Sequence, residues 1–212
     1  MNRLLISAFL LLLLALGARS ATPPDTLAAA TAAGPPVGRK WYRPAHLVLQ
    51  TGGGLGMVAA GAGYALGKDR LEADVLVGYV PPKYAGSALS LASLKFMYSP
   101  YRLQVAEKVQ VLPLTVGGYV SYTHGNLNDG ARGQYPEGYY WFSTDTRVGP
   151  LLGGRVTYLA PPLAATGRAR KVSAYYELGT NDLYIASFFG NLKGGLSFGQ
   201  ILTLSLGLKA DF

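Results

Sequence analysis

The sequence predicts an all-β protein, a transmembrane antiparallel up-and-down β-barrel of about eight strands with a polar, filled interior. Three observations predict it. Apolar residues make up 50% of the 212-residue chain and charged residues only 14%, with 28 Gly, 15 Tyr and no Cys. After residue 45, apolar and polar residues alternate with period two, the mark of strands with unlike faces. Ionisable residues recur in the non-apolar file, while Tyr and Phe mark strand ends on the apolar file, as aromatic girdles at two lipid–water interfaces would.

The N-terminal segment reads as an address. Met1-Asn2-Arg3 supplies a positive start, Leu4 to Leu16 is an almost pure apolar run, and Ala18-Arg19-Ser20 offers small residues where a signal peptidase reads. The run is shorter than the roughly 20 apolar residues of a spanning helix. Residues 1–20 are therefore expected to be a signal peptide cleaved near Ser20, and residues 21–44 (ATPPDTLAAATAAGPPVG and its sequel) a flexible Ala/Pro-rich leader. Residues 45–212 are left for the barrel. Without Arg3 and Arg19 the 19 basic side chains become 17, against 11 acidic ones. No basic run or aromatic-flanked basic cluster points to nucleic acid, so the excess charge suits anionic lipid headgroups or polysaccharide. No disulfide framework is possible.

Each strand follows from its parity. Two weaker strands are expected near 46–52 and 55–66, the second with Val58, Ala60, Ala62, Tyr64 and Leu66 against Ala59, Gly61 and Gly63. Leu71, Ala73, Val75, Val77 and Tyr79 oppose Glu72, Asp74 and Gly78. Ala92, Leu94, Phe96 and Tyr98 oppose Ser93 and Lys95. Leu112, Leu114, Val116, Val120 and Tyr122 oppose Thr115, Gly117 and Ser121. Leu152, Val156 and Tyr158 oppose Gly153, Arg155 and Thr157. Val172, Ala174, Tyr176 and Leu178 oppose Ser173, Glu177 and Gly179. The last file runs Leu196, Phe198, Leu202, Leu204, Leu206, Leu208, Ala210 and Phe212, broken only by Gln200. Connections at 67–70, 99–108 and 160–171 fall on one side. Those at 52–54, 80–88, 124–149 and 180–195, longer on the whole, fall on the other, an asymmetry typical of such barrels.

The leader pattern, these dyad repeats and the terminal LTLSLGLKADF resemble the small outer-membrane β-barrels of Gram-negative bacteria, of the size of the outer membrane protein A transmembrane domain. The likeness covers roughly residues 45–212. It implies a monomer in the outer membrane, exported by the general secretory route, contacting outer-membrane lipid and lipopolysaccharide. It also implies recognition of Phe212 by the barrel-assembly machinery. It implies no activity, because members serve as adhesins, structural proteins, lipid-modifying enzymes and small porin-like pores.

The candidate site residues follow from that frame. Glu72, Asp74, Lys95, Arg155 and Glu177, with Lys209 and Asp211, lie in the inward file, where buried charges must pair. Lys95 is expected opposite Glu72 and Asp74 on the adjacent strand, and Arg155 beside Glu177. Together they form a salt-bridged plug; the sharper alternative is a proton or ion path. The loop GNLNDGARGQYPEGYYWFSTDTRVGP crowds Tyr135, Tyr139, Tyr140 and Trp141 with Arg132 and Arg147, which makes it either a rim resting in headgroups or a surface binding platform. In ELGTNDLYIASFFGN, Tyr184, Phe188 and Phe189 extend strands or cover that loop.

His124, in SYTHGNLNDG beside Ser121, Asn126 and Asp129, is the residue on which a lipid A-modifying hydrolase or acyltransferase at the outer rim would turn. The deacylase run His-x-Ser-Asn lacks its serine here, so no catalytic residue is assigned. No metal site or cofactor is expected. The Gly-rich TGGGLG has nothing helical after it and reads as a tight turn. The expected role is structural, or surface binding through the extracellular loops.

Overall fold

A computed structural model describes residues 43–67, 69–125, 143–161, 170–191 and 197–211. The segments expected to be signal peptide and leader, apart from their last residues, and Phe212 lie outside the described residues. Among the described residues nine strands form: β1 His46–Gly52, β2 Val58–Leu66, β3 Leu71–Val80, β4 Leu89–Tyr98, β5 Leu103–Ala106, β6 Val109–His124, β7 Thr146–Ala160, β8 Arg170–Gly179 and β9 Thr203–Asp211. They pair in the order β4-β3-β2-β1-β9-β8-β7-β6-β5, and a further β4–β6 pairing closes an eight-stranded ring that leaves β5 as an addition. Every pairing in the ring is antiparallel. Closure between β1 and β9 (His46 opposite Asp211, Gly52 opposite Ser205) joins the two ends of the barrel sequence. No ring strand then presents an open edge along its paired length, the one arrangement that satisfies a sheet's backbone without a partner chain.

Alternation sets which way each side chain points. Along β3 the burial runs exposed at Leu71, Val75, Val77 and Tyr79, and buried at Glu72, Asp74, Leu76 and Gly78. In β9, Leu204, Leu206 and Leu208 are each more than half exposed, while Ser205 and Lys209 between them are 1% exposed. The polarity is inverted relative to a soluble barrel: aliphatic side chains outside, ions inside. Leu71 to Tyr79 covers about 26 Å along the strand at ~3.3 Å per residue, or about 20 Å of height at a typical tilt of about 40°. Tyr64, Phe96, Tyr98 and Tyr158 sit exposed at one end of this belt, Tyr79 and Tyr122 at the other.

The turns show why particular residues stand where they do. Gly52, Gly53, Gly54 and Gly56 all have positive φ, of 75, 74, 76 and 119°, a conformation closed to most side chains. The turn they form folds over the barrel mouth and drives Leu55 inside to 1% exposure. Its carbonyl oxygen lies where a Cβ on Gly78 would be. The TGGGLG stretch is thus a tight turn as expected, and also a stopper. At the other end Asp69, at φ 60°, closes the β2–β3 turn, a left-handed position that short polar side chains tolerate.

Five expectations need correction. Leu112 belongs to the inside, at 4% exposure, because the β6–β7 register shifts between Leu112 and Thr115, around Pro113. A bulge inserts one residue and reverses the parity that the outer file assumed. The last strand begins at Thr203: Phe198–Gln200 form a 3₁₀ turn whose Ser197 and Gln200 cap each other, so Gln200 ends the alternating file. The connection at 99–108 contains β5, which pairs with the start of β6, and β7 begins at Thr146, inside the connection expected at 124–149. Finally, residues 182–190 make a helix, with Asn181 as N-cap accepting from the Tyr184 backbone N–H at 2.9 Å. That helix completes the wall where β7 outruns β8. Asp182 Oδ1 accepts from Val148 N–H at 3.2 Å, and Thr180 N–H reaches the Pro150 carbonyl at 3.4 Å.

Candidate functional site: a chain of ion pairs in the lumen

Inward positions on six strands bring together His46 and Gln50 of β1, Glu72 and Asp74 of β3, Lys95 of β4, Arg155 of β7, Tyr175 and Glu177 of β8, and Lys209 of β9. Arg155 holds Glu72 with both ends of its guanidinium, Nη1 to Oε1 and Nη2 to Oε2, each at 2.5 Å, the bidentate fork that favours Arg over Lys. Lys209 Nζ donates to Glu72 Oε2 at 2.5 Å and to Asp74 Oδ2 at 2.7 Å. His46 Nε2 lies 2.7 Å from Asp74 Oδ1, so the tautomer consistent with an ionised Asp74 carries its proton on Nε2. Lys95 Nζ donates to both Glu177 oxygens at 3.1 Å and to Gln50 Oε1 at 3.0 Å, with Asp74 Oδ2 at 3.6 Å. Tyr175 donates its hydroxyl to Gln50 Oε1 at 2.9 Å, and its ring lies 4.9 Å from Lys95 Nζ and 5.7 Å from Lys209 Nζ.

Three carboxylates thus meet three permanent cations in one connected chain. Such balance is what allows charges out of water at all, since each ion alone would cost several kcal/mol. Small residues make the room. A Cβ on Gly63 would overlap Asp74 Oδ1 and His46 Nε2, and one on Gly207 would run into the Tyr175 ring.

The five charged residues expected in the lumen are all there, but their pairing differs. Arg155 pairs with Glu72 rather than Glu177, while Lys95 stands directly opposite Asp74 as expected, 3.6 Å from its Oδ2, but makes its shorter bridge to Glu177 and none to Glu72. In register, Arg155 faces Tyr175 while Glu177 faces Gly153. The deciding factor is curvature: inward side chains converge on the axis of a narrow barrel, so long ones meet partners across the lumen. Each of the Arg155–Glu72, Lys95–Glu177 and Lys209–Glu72 bridges joins strands three places apart around the eight-place ring. His46, Gln50 and Tyr175 share the inward parity, alternating with Leu47, Leu49 and Tyr176. Sequence reasoning did not include them because none is a permanent charge.

One ligand atom each from His46, Glu72 and Asp74 lie within 4.8 Å of one another, a spacing that could hold a metal ion. Lys209 Nζ lies 2.5, 2.7 and 3.5 Å from atoms of those same three residues. The chain's own ammonium occupies the position of a cation.

Val48, Leu55, Leu76, Met97, Tyr119, Leu151 and Tyr175 pack as an apolar cluster alongside the ions. Below them, at the rim of the short turns, a cavity of about 20 Å³ is lined by Asp69, Arg102, Gln110, Arg155, Lys171 and Asp211, among others. That is about one water's worth of space. Lys95 and Asp74 are 0% exposed, so the lumen at their level is filled by side chains.

Of the aromatic loop, Arg132, Tyr135, Tyr139, Tyr140 and Trp141 lie outside the described residues. Arg147 is described, and its guanidinium donates to the carbonyls of Ser143, Thr144 and Thr146 at 2.5, 2.9 and 2.6 Å, tying the start of β7 to the segment before it. Tyr184 and Phe189 are exposed on the helix 182–190, and Phe188 meets Phe189 and Phe198 edge-on. His124 is exposed at the end of β6, whereas Ser121 is buried on the opposite face of that strand. The two are therefore not assembled as base and nucleophile; Asn126 and Asp129 lie outside the described residues.

Compared with known proteins, the chain matches no family model and no curated protein sequence.

Proposed function

We propose that this chain is an integral outer-membrane β-barrel that acts structurally or through its extracellular loops, without catalysis. The observation that carries this reading is the inverted polarity of the closed wall. Leu47, Leu49, Val75, Val77, Leu152, Val156 and Leu206 all face outward and are about half exposed or more, while Lys95 and Lys209 are sealed inside. In water such a surface would be an aggregation hazard far larger than the apolar patches monomers expose. In hydrocarbon it is the required face, and closure removes every backbone edge that lipid could not satisfy.

The signal-like residues 1–20 support export, the alternating file of the last strand supports recognition by the barrel-assembly machinery, and single-ring closure supports a monomer. The filled lumen supports a sealed barrel over a pore. Detergent-extracted protein, run unheated and heated on a denaturing gel, is expected to shift in mobility and to fractionate with the outer membrane. A product that stays in the aqueous supernatant with one gel mobility contradicts the proposal. Planar-bilayer recordings are expected to show no steady conductance.

A further inference from the structure

Among the described residues the two rims of the barrel differ in charge. Among the described residues, the rim of the short turns carries Arg43, Arg70, Arg102, Lys108, Arg170 and Lys171 against Asp69, Glu107 and Asp211. The opposite rim carries, among the described residues, Lys83 and Arg147 against Asp145 and Asp182, and so balances. At the short-turn rim Lys171 is spent on Asp69 at 2.9 Å, and Arg102 donates to the Asp69 carbonyl at 3.1 Å. Arg43, Arg70, Lys108 and Arg170 are exposed, and among the described residues none of these four has an ion-pair partner.

They come from four separate places in the chain: the approach to β1, the β2–β3 turn, the β5–β6 turn and the start of β8. Only ring closure gathers them on one rim. Immediately towards the belt stand Tyr64, Tyr98 and Tyr158, all exposed. Phenol rings at headgroup depth with flexible cations just beyond them are the sequence of groups met on crossing from hydrocarbon to a phosphate layer. Basic side chains near an anionic bilayer surface each add to the attraction, and salt screens it.

We propose that this rim is a docking surface for anionic glycerophospholipid headgroups in the leaflet facing the short turns. The inference rests on the membrane-embedded reading above. The test is lipid selectivity in reconstituted vesicles. The full chain is placed in phosphatidylcholine bilayers with spin-labelled phosphatidylglycerol or spin-labelled phosphatidylcholine as probe, and the motionally restricted fraction of each is compared. The expected preference for the anionic probe is roughly three- to tenfold at low salt, collapsing towards one in 0.5 M salt.

The variant carrying Arg43→Gln, Arg70→Gln, Lys108→Gln and Arg170→Gln should lose that preference, while Lys83→Gln on the other rim should keep it. A ratio near one for the unaltered chain overturns the proposal. So does a preference that ignores salt, or one that survives the four changes. A loss of preference on Lys83→Gln would move the surface to the opposite rim and equally overturn it. Absence of any restricted lipid, whatever its headgroup, would instead sink the embedded reading itself.

Discussion

The two faces of this wall are built by the same strands and hold opposite chemistry. On β9, Leu206 points out and is more than half exposed, and Lys209, three residues on, points in and is 1% exposed. A whole file of leucines outside suits the hydrocarbon solvent proposed above. A lysine inside needs partners that replace water completely, and Lys209 has them in Glu72 and Asp74. The contrast teaches that the outer face is specified only by kind, whereas the inner face is specified residue by residue. Substitutions should divide accordingly.

The largest effect is expected from Lys209→Met. It leaves Glu72 to Arg155 alone, and Asp74 to His46 and the more distant Lys95, so a carboxylate stays buried and undercompensated. Unfolding in urea from vesicles should show a loss of about 3–5 kcal/mol, against little change for Leu208→Ile beside it. Next comes Leu206→Arg on the outer face, expected to cost about 2–4 kcal/mol in a bilayer. A neutral or stabilising result there would mean the outer face meets water.

The comparison sharpens further in a double-mutant cycle. Arg155→Met with Glu72→Gln should show a coupling of about 1–3 kcal/mol, and Arg155→Met with Glu177→Gln one below about 0.5 kcal/mol. The reverse order would restore the pairing along adjacent strands. The smallest effect belongs to Lys171→Ala, whose bridge to Asp69 is 26% and 45% exposed. A change under about 1 kcal/mol that vanishes in high salt is expected from melting in detergent.

How much of this was legible follows from what parity can and cannot encode. Period two placed Glu72, Asp74, Lys95, Arg155 and Glu177 in the lumen, because a strand has only two faces. It failed at Leu112, where the shift before Thr115 changes the count without changing the alternation nearby. Lys95 opposite Asp74 was legible from adjacent strands, but the partners across the lumen were invisible for a different reason. Arg155 finds Glu72 across the axis, and that distance depends on ring closure and curvature, which no single strand contains.

The helix 182–190 did carry a signal. Asn181-Asp182 before an apolar run is an N-cap with an acidic first turn, hidden here by aromatic residues that also suit strands. The hook of Leu55 into the mouth could not be read from TGGGLG, because a glycine turn permits many paths and packing against Gly78 selects one.

The central claim is the direction each face looks, and the absence of cysteine makes it directly measurable. Single-cysteine variants Val77→Cys and Leu206→Cys, with Ser87→Cys as an aqueous reference, can be spin-labelled in the vesicle-reconstituted protein. Each is then relaxed with oxygen and with a water-soluble nickel chelate. Labels at 77 and 206 should collide strongly with oxygen and hardly at all with nickel, and the label at 87 should do the opposite. Equal nickel accessibility at all three would show that the leucine and valine face stands in water, and would contradict the account.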